Sequence, residues 1–235
     1  MEKQQVVLVT GPTGNLGSAV IDRFLLDQPH LILLDRHPDR LSGLYPELAS
    51  STDHKFIAGV DLTDGEAVQR AVDEGAKTFG CIDCLIHTAG GFEMGESVAE
   101  ISADSWEFLM NLNVKTTLNI SRAVIPYMVT QKAGKIVTIG ARPAFQGKAR
   151  MGAYSAAKTA VLRLTESMSA ELKGQGINVN CLIPGTIDTP QNRQAMPAAD
   201  TTRWVSPDSL AGVIHFLCSE AARDIHGAAI PVYGA

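Results

Sequence analysis

Thr10-Gly11-Pro12-Thr13-Gly14-Asn15-Leu16-Gly17 follows the apolar run Val6–Val9 and precedes a helical pattern over Ser18–Asp27. A glycine-rich turn between a strand and a helix is where backbone can approach a pyrophosphate. Glycine presents no side chain there, and the helix start offers unpaired N–H groups and a positive dipole end. The spacing is Gly-x-x-Gly-x-x-Gly, a weak signal alone that gains specificity from its strand–helix setting. An acidic residue closing the next strand would hold the adenosine ribose, and Asp35 stands 18 residues after Gly17. Its carboxylate would repel a 2′-phosphate, which favours NAD(H). The adjacent Arg36 could accept that phosphate, so NADP(H) stays open. Asp61 suits a hydrogen bond to the adenine amino group, with a helix-approach cap as the plain alternative.

Outward from that turn, apolar runs of strand length alternate with helical patterns. The strands are expected at Gln5–Val9, Leu31–Leu34, Lys55–Ala58, Ile82–His87, Lys135–Ile139, Asn178–Ile183 and Ala228–Val232. The early runs are continuous rather than alternating, as strands buried on both faces of a parallel sheet require. Thr63-Asp-Gly-Glu66 reads as a capping box before a helix. Val114, Leu118, Ser121, Ile125 and Met128 predict one buried stripe, interrupted by Pro126, which should kink it. Ala153, Ala157, Ala160, Leu164 and Met168 predict a second, close-packing stripe. Ser206-Pro207 reads as an N-cap followed by proline at the first helical position. Repeated strand–helix units predict an α/β fold, a Rossmann-type doubly wound parallel sheet of about seven strands with helices on both faces. No linker-like break appears, so residues 1–235 read as a single dinucleotide-binding domain. Residues 186–205 read as a long loop on the substrate side.

Composition bounds the function. Hydrophobic residues make up 45% and charged residues 19%, which is globular rather than disordered. The net charge of −5 argues against a broad nucleic-acid or anionic-membrane surface. No apolar run approaches the ~20 residues of a membrane span, and Met1-Glu-Lys-Gln-Gln carries no apolar stretch of secretory length. Cys81 and Cys84 form a Cys-x-x-Cys without a second pair at zinc spacing. Cys81, Cys84, Cys181 and Cys218 therefore read as reduced thiols, with no metal site and a cytoplasmic location.

Tyr154 and Lys158 are four apart on one predicted helix and project to the same side, about 40° apart. A phenol ordinarily titrates near ~10. A neighbouring ammonium and a positive nicotinamide ring would stabilise the phenolate and lower that value. The pair is then a usable proton donor or acceptor.

With these residues in place, the chain resembles the short-chain dehydrogenase/reductase family over nearly its whole length. The matching pieces, in the family's order, are Thr10–Gly17, Asp35, Asp61-Leu62, Thr88-Ala89-Gly90, Asn113, Tyr154-Ser-Ala-Ala-Lys158, Pro184-Gly185 and Thr189. The resemblance implies that Tyr154 is the general acid. It implies that Lys158 holds the nicotinamide ribose, that Asn113 holds a relay water with Lys158, and that Thr189 fixes the carboxamide. It places Gly11, Thr13, Gly14, Asn15, Leu16, Gly17, Arg36, Leu62, Ala89, Gly90, Pro184 and Gly185 against the cofactor. It also implies a homodimer or homotetramer built on the helices carrying Asn113 and Tyr154.

Three departures stand out. Asn15 occupies the place of the family's middle glycine. The usual Asn-Asn-Ala-Gly has become His87-Thr88-Ala89-Gly90. The family's active-site serine, thirteen residues before the tyrosine, is Ala141. Loss of one such donor costs ~10²–10³-fold where an oxyanion must be stabilised. One branch of the family, the dihydropteridine reductases, lacks that serine and reduces an electron-poor quinonoid ring that needs less polarisation. Gly140-Ala141-Arg142 with Gly147, Met151, Tyr154 and Ala157-Lys158, the turn Ala89-Gly90-Gly91-Phe92, and the stretch from Asp188 to Trp204 are similar to that branch. Phe92 could stack on a flat ring, and Met196 and Trp204 could close over it. Core packing of Phe92 and loop anchoring by Trp204 are the plain alternatives. Arg142 and Arg193 could meet an anionic substrate group or simply be solvated. His87 reads as a strand-end histidine rather than an acid, and His215 and His226 have no assigned role. The reading is therefore an NAD(P)H-dependent oxidoreductase acting on a small molecule. A ketone or oxoacyl reductase is the enzymatic alternative, and a non-catalytic NAD(H)-binding sensor the other.

Overall fold

The computed structural model describes residues 4–234, so Met1–Lys3 of the N-terminal segment read above, and Ala235, lie outside the described residues. Seven strands form one sheet: β1 (Val6–Thr10), β2 (His30–Asp35), β3 (His54–Ala58), β4 (Cys84–His87), β5 (Gly134–Ile139), β6 (Ile177–Pro184) and β7 (Ala229–Val232). Their order is β3-β2-β1-β4-β5-β6-β7, and every pairing is parallel. All seven expected strands are present, with ends shifted by one or two residues. The strand order reverses between β1 and β4, which leaves a crevice beyond their carboxyl ends, the usual ligand position in such sheets.

The pleat sends alternate residues of β1 to opposite faces. Val6 and Leu8 join a core with the helices α4 (Gly65–Phe79), α6 (Thr116–Gln131) and α7 (Gly152–Leu172). Val7 and Val9 join the opposite core with α1 (Asn15–Leu25) and α9 (Pro207–Leu217). All five β1 residues and all eight of β6 are buried, which explains the apolar run of Val6–Val9, while the two polar residues of β6, Asn178 and Asn180, donate to the backbone carbonyls of Arg223 and Ile225. Two short helices, α2 (Pro38–Leu44) and α3 (Pro46–Ser50), join β2 to β3, and α5 (Ala103–Met110) precedes a π-helical turn, Asn111–Lys115, that runs into α6.

Three local expectations are corrected. The α4 cap is Asp64, whose Oδ1 accepts from the N–H groups of Glu66 and Ala67, because Thr63 turns back to Asp61. Leu118 is 52% exposed; the buried face of α6 runs instead through Thr117, Ile120, Ser121, Val124 and Met128. At 100° per residue Leu118 and Ile125 fall on the flank of that face within the same helix. Segment 186–205 is not a structureless loop: it holds α8 (Pro190–Ala195) and a 3-10 turn, Thr201–Arg203. Ile187 and Val205 close its base with a parallel bridge. The Ser206 cap before Pro207 is present, its hydroxyl accepting from Ser209 N–H.

Candidate active site

At the switch point, the glycine turn is shaped by close approach. Gly11 sits at φ 68°, a conformation that glycine adopts without strain. A Cβ on Gly17 would lie 2.1 Å from the Gly11 carbonyl oxygen. Gly14 caps α1 with no side-chain bond, so the helix N-terminus is left to a ligand. Leu16 is buried under the turn, and Asn15 lies on its surface.

Asp35 ends β2 with its carboxylate buried. Its Oδ2 accepts from Thr13 Oγ1 at 2.7 Å and its Oδ1 from His37 N–H at 2.7 Å. Those two donors use half of a carboxylate's roughly four acceptor positions. Arg36 beside it is exposed. Asp61 accepts both the N–H and the hydroxyl of Thr63 through Oδ1, and these bonds hold its carboxyl below the usual range, with Arg36 and Lys115 adding attraction. Leu62 packs against the core, and its carbonyl takes Asn119 Nδ2 at 2.9 Å.

The end of β4 is a polar junction buried in the core. His87 Nδ1 meets Thr10 Oγ1 at 2.7 Å and its Nε2 meets Thr116 Oγ1 at 3.3 Å. Burial, reinforced by the Lys158 ammonium, drives its pKa down to about 3, so the ring is neutral. Sequence reading noted His87 but missed both threonines, since nothing local pairs three segments. Thr88 Oγ1 donates to the Thr10 carbonyl at 2.7 Å. Ala89 backs onto Gly11, where a Cβ would stand 3.0 Å from Ala89 Cα.

Asn113 sits inside the π turn. Its Nδ2 donates to the Gly91 and Leu109 carbonyls at 3.1 and 2.9 Å, and its Oδ1 accepts Gly91 N–H at 3.2 Å. A Cβ on Gly90 would lie 2.9 Å from Asn113 Oδ1 and 3.4 Å from Lys158 Nζ, so only glycine lets those two groups flank the turn. Lys158 is buried, donates to the Ile139 carbonyl at 3.0 Å, and lies 5.9 Å from the centre of the Tyr154 ring. Burial lowers its pKa to about 8. Tyr154 moves the other way: burial raises it to about 12. The expected lowering by Lys158 is therefore overridden in the chain alone, where desolvation of the phenolate outweighs an ammonium seen across the ring.

Phe92 is 51% exposed and meets the Tyr154 ring edge-on, 4.8 Å between centroids, so it is a site wall rather than core. Ala141 is buried at the end of β5 and offers no donor side chain. Arg142 stacks over the Tyr233 ring at 5.0 Å, whereas Arg193 is committed to Asp188 by two bonds, 2.6 and 2.7 Å. Pro184 ends β6, and Gly185 passes so close to Tyr233 that a Cβ would fall 2.7 Å from its carbonyl oxygen. Thr189 is buried and caps α8 through Asn192 N–H at 3.1 Å. Met196, 40% exposed, ends α8, and Trp204 lies where Gly234 packs against the Arg203–Trp204 backbone. The structure thus gathers Phe92, Asn113, Tyr154 and Lys158, while Met196 and Trp204 stay on the 186–205 arm. A cavity of about 330 Å³ opens against Tyr154 between the segments carrying Met94 and Met151. Sequence reading placed Met151 in the segment leading to Tyr154 but missed the cavity, because Met94 stands in no motif.

All four cysteines are buried and none forms a disulfide among the described residues. Among the described residues, no group of three His, Cys, Asp or Glu could hold a metal, and no helix is long and apolar enough to cross a membrane.

A parallel sheet with a glycine turn at its switch point and a Tyr–Lys pair facing it defines a nucleotide-dependent oxidoreductase. The chain belongs to the short-chain dehydrogenase family, whose model matches residues 5–200. It is 29% identical to dehydrogenase/reductase SDR family member 4 of Bos taurus over 98% of this chain and 86% of that one. It is 30% identical to the (2S)-[(R)-hydroxy(phenyl)methyl]succinyl-CoA dehydrogenase subunit BbsD of Thauera aromatica, over 99% and 96%. Among solved structures, an NAD+-bound xylitol dehydrogenase superposes with a TM-score of 0.88 at 25% identity, covering 100% of both chains.

Proposed function

We propose that the chain is an NADH-preferring reductase of a small, flat, electron-poor substrate of the quinonoid dihydropterin type. The observation that carries this is Ala141, buried at the place of the family's serine and without a donor, beside an otherwise complete Tyr154–Lys158–Asn113 set. The cradle fits a dinucleotide: Gly11, Gly17 and Gly90 stand where any side chain would collide. Gly11 through Gly17 would hold its phosphates, Asp35 a ribose, Asp61 and Leu62 the adenine. Ala89, Gly90, Pro184, Gly185 and Thr189 would border the nicotinamide. The bound nicotinamide supplies the hydride. Tyr154 gives its phenolic proton to the substrate from a site that burial keeps protonated. Lys158, ammonium below about 8, offsets the phenolate left behind and orients the ribose. Asn113, pinned by Gly91 and Leu109, supports Lys158 across Gly90. Phe92 offers a flat face to the ring, and Met196 and Trp204 close the 186–205 arm over it.

Asp35, buried and already accepting two hydrogen bonds, supports NADH, since a 2′-phosphate beside it would be repelled. Trp106, Phe108 and Leu118 expose apolar area on α5 and α6, which supports a homo-oligomer, dimer or tetramer. A second reading, reduction of a ketone or oxoacyl thioester, draws support from the (2S)-[(R)-hydroxy(phenyl)methyl]succinyl-CoA dehydrogenase relative. The test is NADH and NADPH oxidation followed by absorbance, with quinonoid dihydropterin against a panel of ketones and oxoacyl thioesters. Preferred turnover of the quinonoid compound with NADH upholds the proposal. Preferred ketone or thioester turnover replaces it with the second reading. Tight cofactor binding without turnover of any of them points to a non-catalytic NAD(H) sensor.

A further inference from the structure

We infer that the cavity beside Tyr154 receives the uncharged, apolar part of the substrate, and that Arg150 is the positioning residue that fixes its walls. The inference takes from the reductase reading only that Tyr154 marks the reacting end.

The walls come from two segments far apart in sequence, one following β4 and one leading into α7. They are joined at three points. Phe92 meets Tyr154 edge-on at 4.8 Å. Gly95 and Arg150 exchange two bonds, Gly95 N–H to the Arg150 carbonyl at 3.0 Å and Arg150 Nη1 to the Gly95 carbonyl at 2.8 Å. A Cβ on Gly152 would sit 3.1 Å from both Val98 Cγ2 and Ile101 Cδ1, so glycine lets the start of α7 close against that segment. Arg150 makes its bonds from φ 62° and Gly95 from φ 133°. The left-handed region is disfavoured for a side chain such as arginine and persists only where surroundings over-determine it, commonly at functional sites. Glycine would serve the backbone there at less cost, so the guanidinium is the reason for an arginine.

The cavity, open to solvent on one side, has a volume of about 330 Å³, at the small end of ligand sites. Met94, Ile101, Leu109 and Met151 give it an apolar lining. Glu93 and Glu96 also face it, without an ion pair among the described residues, and Arg150 adds one guanidinium that keeps its charge while donating to the Gly95 carbonyl. With an apolar wall and two carboxylates against one guanidinium, the lining favours a neutral apolar group over an anionic one.

The experiment is calorimetric titration of redox-inert N-alkylacetamides, methyl to hexyl, into the full chain with and without NADH. Affinity should rise up to about fourfold per methylene until the cavity is full. A terminal carboxylate on the hexyl chain should weaken binding at least tenfold. Arg150→Gly keeps the left-handed backbone and the Gly95 N–H bond but loses the guanidinium bond. It should flatten the chain-length dependence without lowering the melting temperature, while Arg150→Lys restores part of it. A flat series in the wild-type protein, or a wild-type slope in Arg150→Gly, overturns the inference. The slope is read without turnover. If no carbonyl or quinonoid compound is reduced while the slope survives, the reductase reading fails and the cavity assignment stands. If reduction holds and the slope is flat, the cavity assignment fails alone.

Discussion

The side-chain amide of Asn15 donates to Gln191 Oε1 across 2.9 Å, tying the glycine turn to α8 of the substrate-side arm. Asn15 stands where the family resemblance implies a glycine, so this strap goes with that departure from the implied pattern. It links the turn proposed to hold the cofactor phosphates to the arm proposed to close over the substrate, so its loss should speed cofactor release. An exposed neutral hydrogen bond contributes at most about 0.5–1.5 kcal/mol, which sets the size of its effect on release. Gln191→Ala should speed NADH dissociation by about two- to fivefold in stopped-flow fluorescence, with association little changed. Asn15→Ala together with Gln191→Ala should add nothing beyond the single changes, and strict additivity would remove the strap from the account.

Lys158 predicts the alkaline limb of activity. Burial brings its pKa to about 8, so the ammonium beside Tyr154 is lost as pH rises through that value. The kcat/KM for reduction should fall above pH 8 with one apparent pKa near it, as expected for a group titrating in the free enzyme. A profile flat from pH 7 to 9.5 would show that the Lys158 charge is not used.

His87 predicts an acid-side loss of stability. The folded chain holds its ring neutral down to about pH 3, whereas the unfolded chain takes up a proton near 6.5. Between those values the unfolded state binds more protons, so stability falls as pH falls, by at most about 1.4 kcal/mol per pH unit. His87→Asn, which cannot be protonated and still offers hydrogen bonds to Thr10 and Thr116, should flatten that slope in urea titrations between pH 6.5 and 4. An unchanged slope would assign the acid sensitivity to other groups.

The sheet was legible because buried parallel strands such as Val6–Val9 are apolar without interruption, a one-dimensional signal. The glycine turn, Asp35 and the Tyr154–Lys158 pair were legible because their roles need fixed residue types at fixed spacings. Leu118 was misplaced because its spacing fits either of two neighbouring stripes of one helix, and what packs against α6 chooses between them. The His87 partners and the Arg150–Gly95 clasp were invisible for a different reason: each joins segments tens of residues apart, and a left-handed arginine leaves no mark in sequence. The Tyr154 shift went the opposite way from expectation because burial depends on the whole fold rather than on the helix face.

Ala141 separates the two substrate readings. Ala141→Ser restores a donor at the place where relatives polarise a carbonyl, a contribution of up to ~10²–10³-fold where an oxyanion develops. The variant should raise kcat/KM for simple ketones by about tenfold or more and leave a quinonoid substrate within about twofold. A fall in both would mean that the buried site, 6% exposed at Ala141, has no room for the hydroxyl.

The most direct test of the central claim is Tyr154→Phe, assayed for NADH binding by fluorescence and for quinonoid dihydropterin reduction by absorbance in the same preparation. Removing the phenolic hydroxyl should leave cofactor affinity within about threefold and lower kcat by about 10²-fold or more, the range for loss of a positioned general acid. Wild-type turnover in the variant, with cofactor bound as before, would contradict the assignment of Tyr154 as proton donor.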